Sequence, residues 1–415
     1  MDRPDLSCEG KQTVRNLVVL LFCQSLFVAC QLFNLILWTK ALGSEAYGRY
    51  VFAAALFPYF FSIGSLGGGV VAIREIRRNS SCFEDIASSF LAIAATASGL
   101  STLFAVGILS ILPLSDDDRL LFATVAIGSL FPCIGPLPFF DAFHRQGLGA
   151  VAITVVEYAN LAIILTINRW NALSLPILAW SLFGRWILTT MLQWGLFLCF
   201  VHRMSFQLRV ATWRRILTAS VSPILAALIW SAANNLSVVL VRFRFGNAET
   251  AVYGIALMIA TAAATMNDLV LRVYAPHILG DNGLRRDFVV RLVLSVTALS
   301  LGIAVIAFIG AATLIQIGLE PVYHDLLAPL ALMLIANIIR IYWAINDFYL
   351  LRFDKQRISL LAMCCVTIGA NSVGLLTPKR LSILGFPIGM CLSYAGAALF
   401  TFFAMRHYRH RMESV

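Results

Sequence analysis

The chain has 415 residues, of which 60% are hydrophobic and 13% charged; a soluble domain carries roughly a quarter of its residues charged. That composition excludes a water-soluble fold of this size and a disordered chain, and nine cysteines scattered mostly through apolar runs exclude a disulfide-stapled secreted scaffold. A net charge of +10 would suit nucleic acid only if the basic residues shared one solvated face, but here they are parcelled out between apolar runs, which leaves a polytopic membrane protein.

In chain order the apolar stretches predict twelve spans, roughly at 14–38, 50–72, 86–112, 120–140, 149–167, 173–200, 216–241, 250–273, 289–315, 325–350, 358–376 and 381–404. All must be helices, because hydrocarbon offers no partner to backbone N–H and C=O, and the strand-length alternation of a membrane barrel is missing. The first run is long enough to cross a bilayer, so no cleavable signal is expected. With a cytoplasmic amino terminus, 21 of the 31 Lys and Arg residues fall on cytoplasmic connections and 8 on the far side, while Arg185 and Arg340 lie inside spans. That bias predicts that both termini are cytoplasmic.

The connection at about 201–215 reads VHRMSFQLRVATWRR and interleaves cations with Met204, Phe206, Leu208, Val210 and Trp213, as a segment in the headgroup layer does. Lying halfway along the chain, it predicts two six-helix lobes, 1–204 and 205–415. Six spans per lobe start the second lobe on the same side as the first, so the lobes should be related by a pseudo-two-fold along the membrane normal. GSEAYGRY at 43–50 and GNAETAVY at 246–253 support a repeat, with Ala53 and Ala256 following at the same offset of 203.

LWTKALGSEAYGRYVFAAAL (37–56), GVVAIREIRR (69–78), VYAPHILGD (273–281) and GLEPVYHDLLAPLALMLIANIIR (318–340) carry a resemblance. They resemble segments of polysaccharide exporters of the O-antigen flippase type, within the multidrug/oligosaccharidyl-lipid/polysaccharide (MOP) exporter superfamily. The resemblance implies a MATE-like all-α fold, a central cleft and alternating access. It also implies a bacterial inner-membrane location, an undecaprenyl-diphosphate-linked oligosaccharide as cargo, and surface-polysaccharide polymerases and glycosyltransferases as partners. Length favours this branch over the peptidoglycan-precursor flippases, which usually carry two further spans.

A charge at the bilayer centre costs about 2.5 to 3.5 kcal/mol on insertion scales, so each one asks for a reason. Asn337, Arg340 and Asp347 form a polar stripe on span ten, and Gln24, Gln31 and Asn34 form another on span one. Guanidinium matches phosphate oxygens in pairs, which makes Arg340 the leading diphosphate candidate and Arg272 the second. Lys40, Arg49, Arg242 and Arg244 flank far-side span ends, either as later diphosphate ligands or as ordinary interfacial cations. Asp268 lies four residues before Arg272 and could form a structural bridge with it, or be released to bind a proton or sodium ion. Asp347 and Glu157 are the other ion-coupling candidates, and Glu157 could instead form a buried structural pair with Arg185. Eight prolines inside spans (58, 132, 136, 138, 176, 223, 329 and 387) predict kinks, and Gly67–Gly69 a flexible joint or a close helix contact.

An embedded glycosyltransferase or polymerase would usually need a sizeable extracytoplasmic loop, and every connection here is short; Asp116–Asp118 reads as a solvated connector. No phosphate-cradling glycine loop and no His/Cys ligand spacing occurs, so no catalytic residue, metal or cofactor is expected. Among transporters the rival is a MATE-type multidrug or cation antiporter. Intramembrane charge does not decide, since Asp141, Glu157, Asp268 and Asp347 stand against Arg185, Arg272 and Arg340.

Overall fold

A computed structural model describes the backbone of residues 6–67, 69–111, 115–202, 205–207, 209–279, 286–318, 321–352, 355–378 and 383–413. It describes their side chains except at 6–17, 80, 269, 270, 272–279, 286–289, 317, 318, 321, 322, 351, 352, 356 and 408–413. Among the described residues all regular structure is helical. The first helix, α1 (Leu6–Gly64), is interrupted at Gly43, whose φ of 70° and ψ of 171° are not helical. Among the described residues eleven helical stretches are long and apolar enough to cross a membrane, the first being Val18–Gly64. The break at Gly43 divides that stretch into two arms, each of membrane length at about 1.5 Å per residue, which yields the twelve crossings expected.

After α1 come α2 (Val70–Arg78), α3 (Phe83–Ile111), α4 (Asp116–Gly128), α5 (Leu130–Cys133), α6 (Leu137–Ala142), α7 (Gln146–Asn168) and α8 (Leu175–Phe200). The second half holds α9 (Val210–Phe245), α10 (Asn247–Leu279), α11 (Arg286–Gly318), α12 (Leu327–Arg352), α13 (Gln356–Leu376) and α14 (Gly385–Glu413). Span two ends earlier than expected, at Gly64. Gly67 and Gly69 take φ of 74° and 73°, and VVAIREIRR folds separately as α2, which buries Val71, Ala72 and Ile76 and exposes Arg74, Arg77 and Arg78.

Not every proline bends its helix. Pro58 and Pro223 lie inside α1 and α9, and Pro132, Pro136 and Pro138 fall where span four is broken into α4, α5 and α6. Pro176, Pro329 and Pro387 instead occupy the first turns of α8, α12 and α14, where an N–H would have no intrahelical acceptor, so they need cause no kink. Asp116–Asp118 form the first turn of α4 rather than a loop. Ser115 caps it by accepting from the Asp118 N–H at 3.3 Å, and the acids complement the helix dipole.

The helices gather into two compact units: residues 1–42 with 56–231, and residues 43–55 with 232–415. In unit 1 an aromatic core of Phe83, Phe90, Phe139, Phe140 and Phe197 joins α3, α6 and α8. Phe83 meets Phe139 edge-on at 5.7 Å, the arrangement that ring quadrupoles favour. The mid-chain connector is shorter than expected because α9 begins at Val210, and it is tied down by side chains. Ser205 hydrogen-bonds to the Glu84 carboxylate, the Gln207 N–H donates to Ser88 Oγ at 3.1 Å, and Thr212 Oγ1 donates to Asp85 Oδ2 at 2.7 Å.

Unit 2 packs α12, α13 and α14 through small residues such as Ala336, Ala362 and Ala370, with Trp343 stacked on Tyr394 at 5.9 Å. It also contains the point where the repeat becomes visible in space. Gly43 and Gly246, 203 positions apart, both have positive φ, 70° and 104°, a conformation that costs other residues energy. Val51 and Gly254, again 203 apart, touch each other: a Cβ on Gly254 would lie 2.1 Å from Val51 Cγ1. Two repeat-equivalent positions in direct contact are what a local two-fold crossing requires, and glycine is what lets the backbones approach.

Candidate functional site

Two polar stations lie within membrane-spanning helices, one in each unit. The first is centred on Glu157 of α7, whose side chain is 1% exposed. Gln31 and Asn34 are one helical turn apart on α1 and aim their amides at Glu157 Oε1, at 2.6 and 3.2 Å. From α8, Arg185 Nη1 reaches both carboxylate oxygens at 3.1 Å, so the pair sketched from sequence depth does form. One turn along, Ser181 Oγ donates to Asn160 Oδ1 at 2.8 Å, as antiparallel neighbours α7 and α8 allow. The carboxylate is therefore enclosed by donors, while the guanidinium keeps 20% of its surface open.

The second station joins α10 and α12. Asn337 Nδ2 donates to the Ala260 carbonyl at 2.7 Å, and Arg340 Nη2 donates to Asp268 Oδ1 at 2.8 Å and to the Ala264 carbonyl at 3.4 Å. Residues 260, 264 and 268 are successive turns of one face of α10, so the Asn337–Arg340 stripe on α12 is matched turn for turn. The exposure is the reverse of the first station, with Arg340 7% and Asp268 37% open. On the neighbouring face of α10, one residue before Asp268, Asn267 accepts from Ser300 Oγ of α11 at 3.0 Å. Asp268 thus pairs across helices with Arg340; the pair with Arg272 expected from the sequence lies outside the described residues, because the side chain of Arg272 does.

Comparison with known proteins places this arrangement. A family model described as polysaccharide biosynthesis protein matches residues 13–276, more than half of the chain. The chain belongs to that family. No curated protein matches the sequence. Among solved structures, an inward-facing MATE-family multidrug resistance transporter of the MOP superfamily is similar with a TM-score of 0.73 at 15% identity, over 96% of this chain and 99% of that one. The lipid II flippase MurJ in an inward closed conformation is similar with a TM-score of 0.75 at 9% identity, over 95% and 87%. A MOP-superfamily transporter from Pyrococcus furiosus, described as having a binding pocket of reversed polarity, gives 0.61 at 12% identity, over 96% and 95%. These likenesses show the MOP fold and agree with the all-α reading.

The remaining candidate residues of this family member are dispersed. Arg244 donates to the carbonyls of Gly374, Leu375 and Thr377, satisfying the carboxy-terminal end of α13. Arg242 lies over the Phe52 ring at 5.9 Å, a cation–π contact. Arg49 is half-buried and Lys40 exposed. Asp347 is half-buried and hydrogen-bonds with Ser359 on α13, apart from the Asp268–Arg340 pair. Arg185 was treated in the sequence only as a structural partner. A signal for more was present, since Ser181, Arg185, Thr189 and Gln193 recur every four residues along span six.

Proposed function

We propose that this protein is a flippase that moves an undecaprenyl-diphosphate-linked oligosaccharide across the bacterial inner membrane for surface-polysaccharide assembly. In this reading both termini are cytoplasmic, and two lobes, 1–204 and 205–415, expose their polar stations alternately to the two sides. The observation that carries it is the pairing of intramembrane guanidinium with carboxylate in both units of a polysaccharide-biosynthesis family chain. A sugar diphosphate must exchange water for donors that match its oxygens, and guanidinium does so in pairs. Arg340, with Asn337 beside it, is the unit 2 candidate for that exchange, and Arg272 lies one turn beyond Asp268 on α10. Asp268, at 37% exposure, is the group we assign to the coupling proton or sodium ion. Asp347 and Glu157 remain the alternative coupling acids. Lys40, Arg49 and Arg242 are assigned to later diphosphate contact at the far side, whereas Arg244 is committed to α13.

The test is Arg340→Ala in a bacterial host whose own flippase is deleted, with surface polysaccharide measured at matched protein level. Export should fall at least tenfold. Undiminished export removes Arg340 from the site, and export of lipophilic cations without any polysaccharide export would replace this function by multidrug antiport.

A further inference from the structure

The two stations differ in which member of the pair a solute meets first. In unit 2 the open member is the carboxylate, Asp268 at 37% against Arg340 at 7%. In unit 1 it is the guanidinium, Arg185 at 20% against Glu157 at 1%. A phosphate approaching unit 2 therefore meets a like charge first, and one approaching unit 1 meets a partly exposed cation first. The surroundings of Arg185 repeat this polarity. Ser181, Arg185, Thr189 and Gln193 form a stripe at four-residue spacing along α8, and such a stripe faces water or protein, not acyl chains. On the same stripe Gln193 Nε2 is a buried donor without a hydrogen-bond partner. A buried unpaired donor of this kind asks for a partner. Next to Arg185 in sequence, Trp186 stacks on Phe57 at 4.7 Å and fixes the helix at this level.

We infer that Arg185 is a diphosphate-binding residue of unit 1, and that Glu157 is the resident anion with which the diphosphate must share the guanidinium. The inference rests on the flippase reading and deepens it by adding a guanidinium from unit 1 to the candidates of unit 2. Glu157, itself held by Gln31 and Asn34, accepts from one guanidinium nitrogen of Arg185 with both carboxylate oxygens. A phosphate then competes with one carboxylate for a planar donor that suits both.

The test is calorimetric titration of the purified, detergent-solubilised full chain with farnesyl diphosphate, and with farnesyl monophosphate as control. The wild type should prefer the diphosphate. The neutral pair Glu157→Gln/Arg185→Gln, which leaves no buried charge behind, should bind the diphosphate at least tenfold more weakly. Glu157→Gln alone, which keeps the guanidinium and removes its competitor, should bind about threefold more tightly. Binding by the neutral pair equal to wild type, or no gain in Glu157→Gln, overturns the role of Arg185 and leaves the flippase reading standing. A wild-type chain that binds neither lipid phosphate overturns both.

Discussion

The stations in unit 1 and unit 2 use the same pair of functional groups with opposite exposure, and the difference teaches which member of an intramembrane pair can be spared. Breaking a buried ion pair is costly mainly because of the charge left behind. Where the acid is enclosed and the base is open, as with Glu157 and Arg185, loss of the base strands a carboxylate that water cannot reach. Where the base is enclosed and the acid is open, as with Arg340 and Asp268, loss of the acid strands the guanidinium. The more exposed partner is thus the more important one for stability in both units, contrary to the usual expectation that buried residues matter most.

The largest effect should come from Arg185→Gln, which leaves Glu157 with only the amides of Gln31 and Asn34 and should cost about 3 to 5 kcal/mol. Thermal unfolding in detergent would show it, and adding Glu157→Gln in the same chain should restore most of the loss. Asp268→Asn comes next at about 1 to 3 kcal/mol, smaller because Arg340 keeps the Ala264 carbonyl and an amide in place of the acid. Glu157→Gln and Arg340→Gln should each cost about 1 kcal/mol or less, since the charge that remains can be hydrated. If the order within either unit is reversed, the stranded-charge account of that station fails. A comparison outside the stations sharpens the baseline: Gly254→Ala should cost about 1 to 3 kcal/mol through overpacking against Val51, and Val51→Ala in the same chain should recover part of it. The smallest change is expected for Lys40→Gln, an exposed cation, at under about 0.5 kcal/mol.

Much of this architecture was legible in the sequence because the bilayer imposes a strong length and polarity filter. Twelve apolar stretches match the crossings, and the 203-residue offset pairs Gly43 with Gly246, both of positive φ. Of the stripe read from spacing, Asn337 and Arg340 meet α10, whereas Asp347 meets Ser359 on α13. These partners were illegible, because helix periodicity reports neighbours on the same helix and is silent about which helix lies opposite. That is why spacing alone points from Asp268 to Arg272, four residues on, and gives no sign of Arg340, 72 residues away. Arg244 shows the same limit, since the carbonyls that end α13 come beside it only through the fold. Proline position within a helix was also out of reach. Pro329 and Pro387 sit within predicted spans but at true first turns, a distinction that depends on boundaries uncertain by a few residues.

The central claim is that this chain moves a lipid-linked diphosphate sugar by means of these two stations. Transbilayer movement of a fluorescent undecaprenyl-diphosphate disaccharide in proteoliposomes tests it most directly. The account predicts movement with the wild-type chain and little above the protein-free rate when both pairs are neutralised together as Glu157→Gln/Arg185→Gln and Asp268→Asn/Arg340→Gln. Movement at the wild-type rate by that folded quadruple variant, or none by the wild type under any imposed proton or sodium gradient, would contradict it.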